Sequence, residues 1–425
     1  MLLVNWRDTG HPEGGGSERY VERMAEGLAA AGYRVEIQCA AYPGATAGEW
    51  RDGVRYRRRG NKFGVYAHAL RAIRRARADL VVDVQNGMPF FARLVAGCPV
   101  LVLVHHVHKE QWISALGETL GRVGWWIESR LAPWLFRGCR YVTVSEVTKA
   151  ELAELGIERE RVTVVPNGLD APPPCTSERD AEPMLVAVSR LVPHKRIEHA
   201  IDVVARLARR WPSLRLEVVG QGPWDEVLRA HAASRGVADR VVLHGWVDEQ
   251  AKHEILARSW LHLCPSVKEG WGIVIMEAAA HGVPSVAYRA AGGVTESIVD
   301  GRTGLLADDF DDFTARVDGL LADGLRRAEM GLAGAERAGK YSWDSSAGQF
   351  ESLVRDVSGR SAPRPRLLLG HRLVGHRPLG HRLVPYRVPE PGQQPGGGEG
   401  VEVLAAGAHG HGGGAAGGRR AERHA

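Results

Sequence analysis

Twice in succession this chain alternates short, nearly unbroken Val/Leu runs with longer stretches of helical periodicity. LLVNW (2–6) precedes a Gly-rich turn and a helix predicted over 17–31, and VEIQCA (35–40) completes a βαβ pattern. DLVVDV (79–84), CPVLVLVHH (98–106) and CRYVTVS (139–145) continue it. A strand with one wet face alternates apolar and polar residues. These runs do not, so they predict parallel strands covered by helices on both sides. The rhythm breaks at DAPPPCTSERDAEP (170–183), where three consecutive prolines stiffen a polar segment. It then restarts with MLVAVS, LRLEVVG, RVVLHG, WLHLCPS and VPSVAY. The pattern predicts two doubly wound α/β domains with a cleft between them. Ligands of such sheets sit beyond the carboxyl ends of the strands.

Five divisions follow from this pattern. They are a first domain over 1–169, a linker over 170–183, a second domain over 184–340, a helix over 341–357 that crosses back to the first domain, and a tail over 358–425. The tail is rich in Gly, Pro and Arg, with GHR recurring at Gly370, Gly375 and Gly380, and is expected to be disordered. It also explains the charge. The whole chain carries +5, but from Gly359 onward ten Arg against four Glu give +6, which leaves the body at −1. The basic balance therefore gives no reason to expect nucleic-acid binding by the folded part. Five scattered cysteines without a CxxC spacing predict a reduced, cytoplasmic protein. No run approaches the length of a membrane span, and MLLVNW reads as a strand rather than a leader.

Two stretches of the second half carry chemistry. SRLVPHK (189–195) places Arg190 and Lys195 after a strand and just before a helix, where free backbone amides add partial positive charge. Such cations suit a diphosphate. KEGWGIVIME (268–277) places Glu269 on a tight loop and Glu277 on the helix that follows, with Gly282 expected to close that helix. Carboxylates accept paired hydrogen bonds from vicinal hydroxyls. Cations and carboxylates together at strand ends suit a nucleotide-sugar. Separately, DDFDD (308–312) could suggest a metal, but its place before a predicted helix favours capping of free amides.

KEGWGIVIME resembles the EX7E signature of family 4 glycosyltransferases, and SRLVPHK resembles their donor-phosphate motif. GGGSE (14–18), PNGLD (166–170), VGQGP (219–223), GGVTESI (292–298) and DGRTGLL (300–306) match in order, over about 2–354. The resemblance implies the GT-B fold, two facing Rossmann-like domains. It implies retaining hexosyl transfer from a nucleotide-sugar, UDP- or GDP-linked, to a hydroxyl acceptor in glycolipid, polysaccharide or natural-product synthesis, with no bound metal and no cofactor.

Carried over by position, Arg190 and Lys195 would hold the diphosphate and stabilise it as it leaves. Glu269 would contact the transferred sugar and Glu277 the ribose. Gly15 and Gly16 would admit the ligand to the first loop, and Gly220 and Gly222 would do so near the base. Gly292 and Gly293 would also lie at the donor. In VLVHHVHKEQW (102–112), His105 ends a strand and is assigned to the reacting sugar, with His106 and His108 as alternatives. Basic stretches at 56–63 and 71–78, with Trp125, Trp126 and Trp134, would suit peripheral contact with a membrane carrying a lipid-linked acceptor. Competing readings are a sugar-nucleotide epimerase of similar shape and a binding protein without turnover.

Overall fold

The computed structural model describes residues 1–359. The tail and its GHR repeats lie outside them. Eight strands form the first sheet: β1 (Leu2–Val4), β2 (Val35–Cys39), β3 (Gly48–Arg51), β4 (Val54–Arg58), β5 (Val81–Gln85), β6 (Val100–Val104), β7 (Arg140–Thr143) and β8 (Val162–Val164). Their order is β3-β4-β2-β1-β5-β6-β7-β8, parallel except for the β3–β4 pair. Six strands form the second sheet: β9 (Met184–Val188), β10 (Arg215–Val219), β11 (Val241–Gly245), β12 (Leu261–Cys264), β13 (Ser285–Tyr288) and β14 (Gly304–Ala307). Their order is β11-β10-β9-β12-β13-β14, parallel throughout.

The Val/Leu runs are the central strands. Every residue of β5, β6 and β12 is buried. The antiparallel β3–β4 edge escaped sequence reading because its apolar residues are few. It changes how the basic stretch at 56–63 behaves. Tyr56 and Arg58 are buried, and Arg58 donates to Asp8 (2.5 Å) and Glu49 (3.0 Å), while Arg57 pairs with Glu36. Those arginines hold the sheet edge to its neighbours. Arg71, Arg74, Arg75 and Arg77 remain exposed.

In each sheet the chain order reverses beside a central strand, β1 in the first and β9 in the second. Helices after the strands that flank such a point depart to opposite faces, which leaves a crevice at the strand ends. The loops after β9 and β12 border the crevice of the second sheet, and they contain SRLVPHK and KEGWG.

The two halves share one apolar core. Trp271 and Met276 of the second half pack with Tyr20, Met24 and Leu28 of the first helix, Gly16–Ala30. The last described helix, Trp343–Ser358, lies along that first helix and adds Phe350, Leu353 and Val354. The approach is close at Gly27, where a Cβ would stand 2.3 Å from the Ala347 Cβ. Asp170 fastens the corner. It accepts from Arg19, from Arg23 (2.8 Å) and from Trp343 Nε1 (3.0 Å). Burial alone would raise its pKa, but Arg19 and Arg23 outweigh that and hold it below the ordinary carboxylate value.

Two outcomes are expected. Asp170→Ala should lower the unfolding free energy by about 1–2 kcal/mol, discounted for partial exposure of the pair. Because the folded-state pKa is depressed, this contribution is present at neutral pH and fades as the pH falls through the folded-state value. Urea unfolding at pH 7 and pH 3 checks both parts. Gly220→Ala should cost more, about 2–4 kcal/mol. Its φ is +132° and a Cβ would stand 1.8 Å from the Ser189 carbonyl oxygen. Equal stability of this variant and its parent in the same titration would contradict the backbone geometry.

Candidate active site

The loop after β9 is stitched to the loop after β10. Ser189 N donates to Val219 O (3.0 Å), Leu191 N to Gln221 O (3.0 Å) and Trp224 N to Leu191 O (3.1 Å). This contact explains two of the glycines. A Cβ at Gly222 would stand 2.3 Å from the Leu191 oxygen, a second close approach beside that at Gly220. Both give the strand-end loops room to pack on each other. After Leu191 the chain makes a tight turn at Pro193–Lys195, passes Arg196 in the left-handed region (φ +48°) and enters helix Ile197–Leu207. A non-glycine residue there is strained and persists only where its surroundings fix it.

This turn is tied to the loop after β12, since Val267 N donates to His194 O (2.8 Å). Lys195 Nζ then reaches Glu269 Oε1 at 2.5 Å, and Ser266 Oγ donates to the same oxygen (2.7 Å). Glu269 N donates to Ala291 O (2.8 Å), and Gly293 N to Glu269 O (3.1 Å). Gly293 permits that crossing, because a Cβ there would meet the Gly270 oxygen at 2.0 Å. Gly292, at φ +81°, would bring a Cβ to 3.1 Å from Lys268 Nζ. Burial works to raise the Glu269 pKa, but Lys195 outweighs it, so the carboxyl lies below its ordinary value.

Arg190 crosses toward the first domain. Its Nε lies 3.7 Å from where a Gly15 Cβ would be. Burial lowers its pKa, with Arg7 adding to that and Glu18 opposing it. Gly16 fits against Ile273, whose Cδ1 would stand 3.1 Å from an added Cβ. The first residues of two helices, one from each half, thus meet beside the cations.

Glu277 lies one helical stretch away, on Ile273–Ala280, and is buried. Lys252 Nζ donates to it at 3.0 Å and also to Glu249 at 3.0 Å. Arg19 completes this corner through Glu249 (3.4 Å). The structure therefore brings Lys195 and Glu269 into contact and turns Arg190 toward Gly15, while Glu277 occupies a separate corner with its own ammonium partner.

The three histidines differ. His105 is buried edge-on to Tyr20 (5.3 Å, 88°), and among the described residues its Nε2 has no hydrogen-bond partner. Burial pushes its pKa down to about 4, so it is neutral at pH 7. His106 pairs with Gln111 (3.1 Å), and His108 pairs with Glu128 (3.1 Å).

Several neighbours escaped sequence reading. Glu18 is buried and accepts from Gly15 N (2.8 Å), Ser17 Oγ (2.9 Å) and Arg7 Nε (3.2 Å). Burial raises its pKa and Arg7 lowers it, with a net lowering. The spacing from Gly15 to Glu18 is half of a capping box, a signal that could have found it. Lys252 and Ser266 left no comparable mark. At DDFDD, Asp309 accepts from Asp312 N (2.8 Å) and caps helix Phe310–Ala322. Among the described residues, Glu249, His253 and Glu277 bring ligand-type atoms within 4.8 Å of one another. Lys252 already supplies positive charge there.

Comparison with known proteins bears on the family and the fold. The family "Glycosyltransferase Family 4" matches residues 14–172, and "Glycosyl transferases group 1" matches residues 175–337. The chain is 35% identical over 242 residues to a GDP-mannose-dependent alpha-(1-6)-phosphatidylinositol monomannoside mannosyltransferase of Mycolicibacterium smegmatis, covering 52% of this chain and 62% of that protein. The match thus spans about three fifths of that relative's length. A D-inositol 3-phosphate glycosyltransferase of Segniliparus rotundus is 26% identical over 397 residues, covering 80% of this chain and 84% of that protein. Sucrose-phosphate synthase of Thermosynechococcus elongatus superposes with a TM-score of 0.72 at 20% identity, covering 85% of this chain and 99% of that structure, a likeness of fold. The paired sheets and both family matches agree, and the chain belongs to glycosyltransferase family 4, with the GT-B fold.

Proposed function

We propose that this chain moves a hexosyl group from a nucleotide-diphosphate sugar to a hydroxyl acceptor, with retention of configuration and without a metal. The observation that carries this reading is the Lys195–Glu269 contact at the crevice of the second sheet, beside Arg190. The second sheet is the donor side and the first the acceptor side. In this reading the diphosphate replaces Glu269 as the partner of Lys195, and Arg190 closes over it from the first-loop side. Each charge-assisted contact stabilises by roughly 1.5–3 kcal/mol. The freed Glu269 then accepts from hydroxyls of the sugar. As the bond from the sugar to the diphosphate breaks, its electron pair stays on the phosphate oxygen, where the two cations stabilise it. Glu277 accepts from the ribose, and neutral His105 offers its unpartnered Nε2 to the sugar. GDP-mannose is the first donor to test, because the mycobacterial relative is named for it.

A lipid-linked acceptor at the cytoplasmic face of a membrane fits the acceptor side. Among the described residues no helix is long and apolar enough to cross a membrane. Helix Lys109–Trp126 nevertheless exposes Leu120 (61%) and Trp126 (55%), and Trp134 (64%) follows. Arg122, Arg130 and Arg137 are exposed among them. Apolar side chains with nearby cations suit an interface bearing anionic headgroups.

Three outcomes are expected. A thermal-shift panel of GDP-mannose, UDP-glucose and UDP-N-acetylglucosamine should show stabilisation by the true donor through mass action. With that donor, Lys195→Ala and Glu269→Ala should each cut turnover at least about tenfold, the loss of roughly 1.4 kcal/mol of transition-state stabilisation. Near-parental turnover in both variants would sink the site. Vesicles of phosphatidylcholine with phosphatidylglycerol should also sediment the protein more than phosphatidylcholine alone. Leu120→Ser with Trp126→Ser should weaken that partition by about tenfold or more. Equal sedimentation in all arms would contradict the membrane contact.

A further inference from the structure

Glu269 is flanked on both sides by ties to the first half of the chain. Its backbone belongs with the loop at 291–293, where Glu269 N donates to Ala291 O (2.8 Å) and Gly293 N to Glu269 O (3.1 Å). The short helix Val294–Ser297 continues that loop and carries Glu296. Glu296 Oε1 reaches across and accepts from Val147 N (2.8 Å), at the start of helix Glu146–Glu154. Free amides at a helix start carry partial positive charge, which suits a carboxylate. On the other side Lys268, the residue before Glu269, is ion-paired with Glu151 of the same helix.

Val147 and Glu151 are four positions apart and lie on one face of that helix. The face is in close contact, since a Cβ at Gly292 would stand 3.6 Å from Val147 Cγ1. The side chains of Lys268 and Glu151 are only 16% and 24% exposed, so solvent screens this pair less than one on the open surface. The same helix reaches His105, whose carbonyl oxygen accepts from Thr148 Oγ1 (3.3 Å). Gly270 packs on that oxygen, where a Cβ would come within 2.8 Å. One helix thus sets the loop of Glu269 against the strand end of His105. The groups assigned to the rest of the donor have supports within the second half. Val267 N holds the turn that bears Lys195, and Lys252 holds the Glu277 carboxylate.

We infer that Lys268, Glu151 and Glu296 are positioning residues through which the first domain sets where Glu269 meets the transferred sugar; this rests on the glycosyl-transfer reading above. None of the three touches the ligand in this assignment. They act on the sugar end of the donor, because the supports of Lys195 and Glu277 do not run through helix Glu146–Glu154. Loosening either tie lets Glu269 turn away from the sugar hydroxyls while the cations and the ribose carboxylate keep their places. Binding of a nucleotide sugar then weakens, and binding of its nucleoside diphosphate does not.

Calorimetric titration with GDP-mannose, UDP-glucose and UDP-N-acetylglucosamine, each beside its nucleoside diphosphate, reads this difference without a known acceptor. For the nucleotide sugar that binds, Lys268→Glu and Glu151→Lys should each raise Kd at least about fivefold, with the nucleoside diphosphate within about threefold of the parent. The double exchange restores opposite charges at the same place and should return the nucleotide-sugar Kd to within about twofold of the parent. Glu296→Ala should also raise that Kd at least about fivefold, whereas Glu296→Gln, whose amide oxygen can still accept from Val147 N, should stay within about twofold. A general loss of structure would weaken both ligands alike. Single variants with parental affinity, a parallel loss for nucleotide sugar and nucleoside diphosphate, or a double exchange no better than the single ones would overturn the assignment. A parent chain that binds none of the three nucleotide sugars would instead remove the transferase reading, and this inference with it.

Discussion

Two opposite charges held together at the end of a parallel sheet set the terms for the rest of this molecule. Lys195 and Glu269 arrive on different loops, 74 positions apart in sequence, and meet at 2.5 Å. Each would be costly to bury alone, since a charge leaving water loses several kcal/mol of hydration. Paired, they neutralise each other and keep both loops folded inward. The pairing also holds the Glu269 carboxyl below its ordinary value, in the ionised form that accepts from hydroxyls. An anionic ligand with a polyol attached is complementary to the separated pair, end for end.

The backbone around the pair is arranged to serve it. Gly220, Gly222 and Gly293 let four strand-end loops stack in two pairs, main chain on main chain. Arg196 tolerates a left-handed turn so that the helix can begin immediately after Lys195. The first helix of the other half closes the opposite wall, with Glu18 bracing its loop from beneath. None of these residues needs to touch a ligand. They set the distance between the groups proposed to do so.

Much of this was legible in the amino-acid order. Buried parallel strands have a compositional signature, and Val/Leu runs such as those of β5 and β6 show it plainly. Short charged motifs after such strands then fall at the carboxyl ends, where doubly wound sheets bind ligands. The illegible parts share a physical cause. Strands β3 and β4 are an edge pair, and Arg58 within them is buried by a partner, Asp8, fifty residues away. Lys252 becomes the partner of Glu277 only because two helices pack together, which no local pattern announces. Glu128 sits within a Trp-rich stretch whose periodicity gives no hint of a carboxylate facing inward. In each case a polar residue is placed by a distant neighbour, and periodicity reports only on apolar faces.

The chain passes between the two halves twice, once along the proline-bearing segment after β8 and again at the start of helix Trp343–Ser358. Both passages meet at Asp170 and Trp343, which are hydrogen-bonded to each other. A single tether would let two bodies swing and twist in any direction. A doubled one, joined at one corner and backed by a shared apolar core, removes most of that freedom. The two walls of the cleft are thereby held in register, with Arg190 set against Gly15.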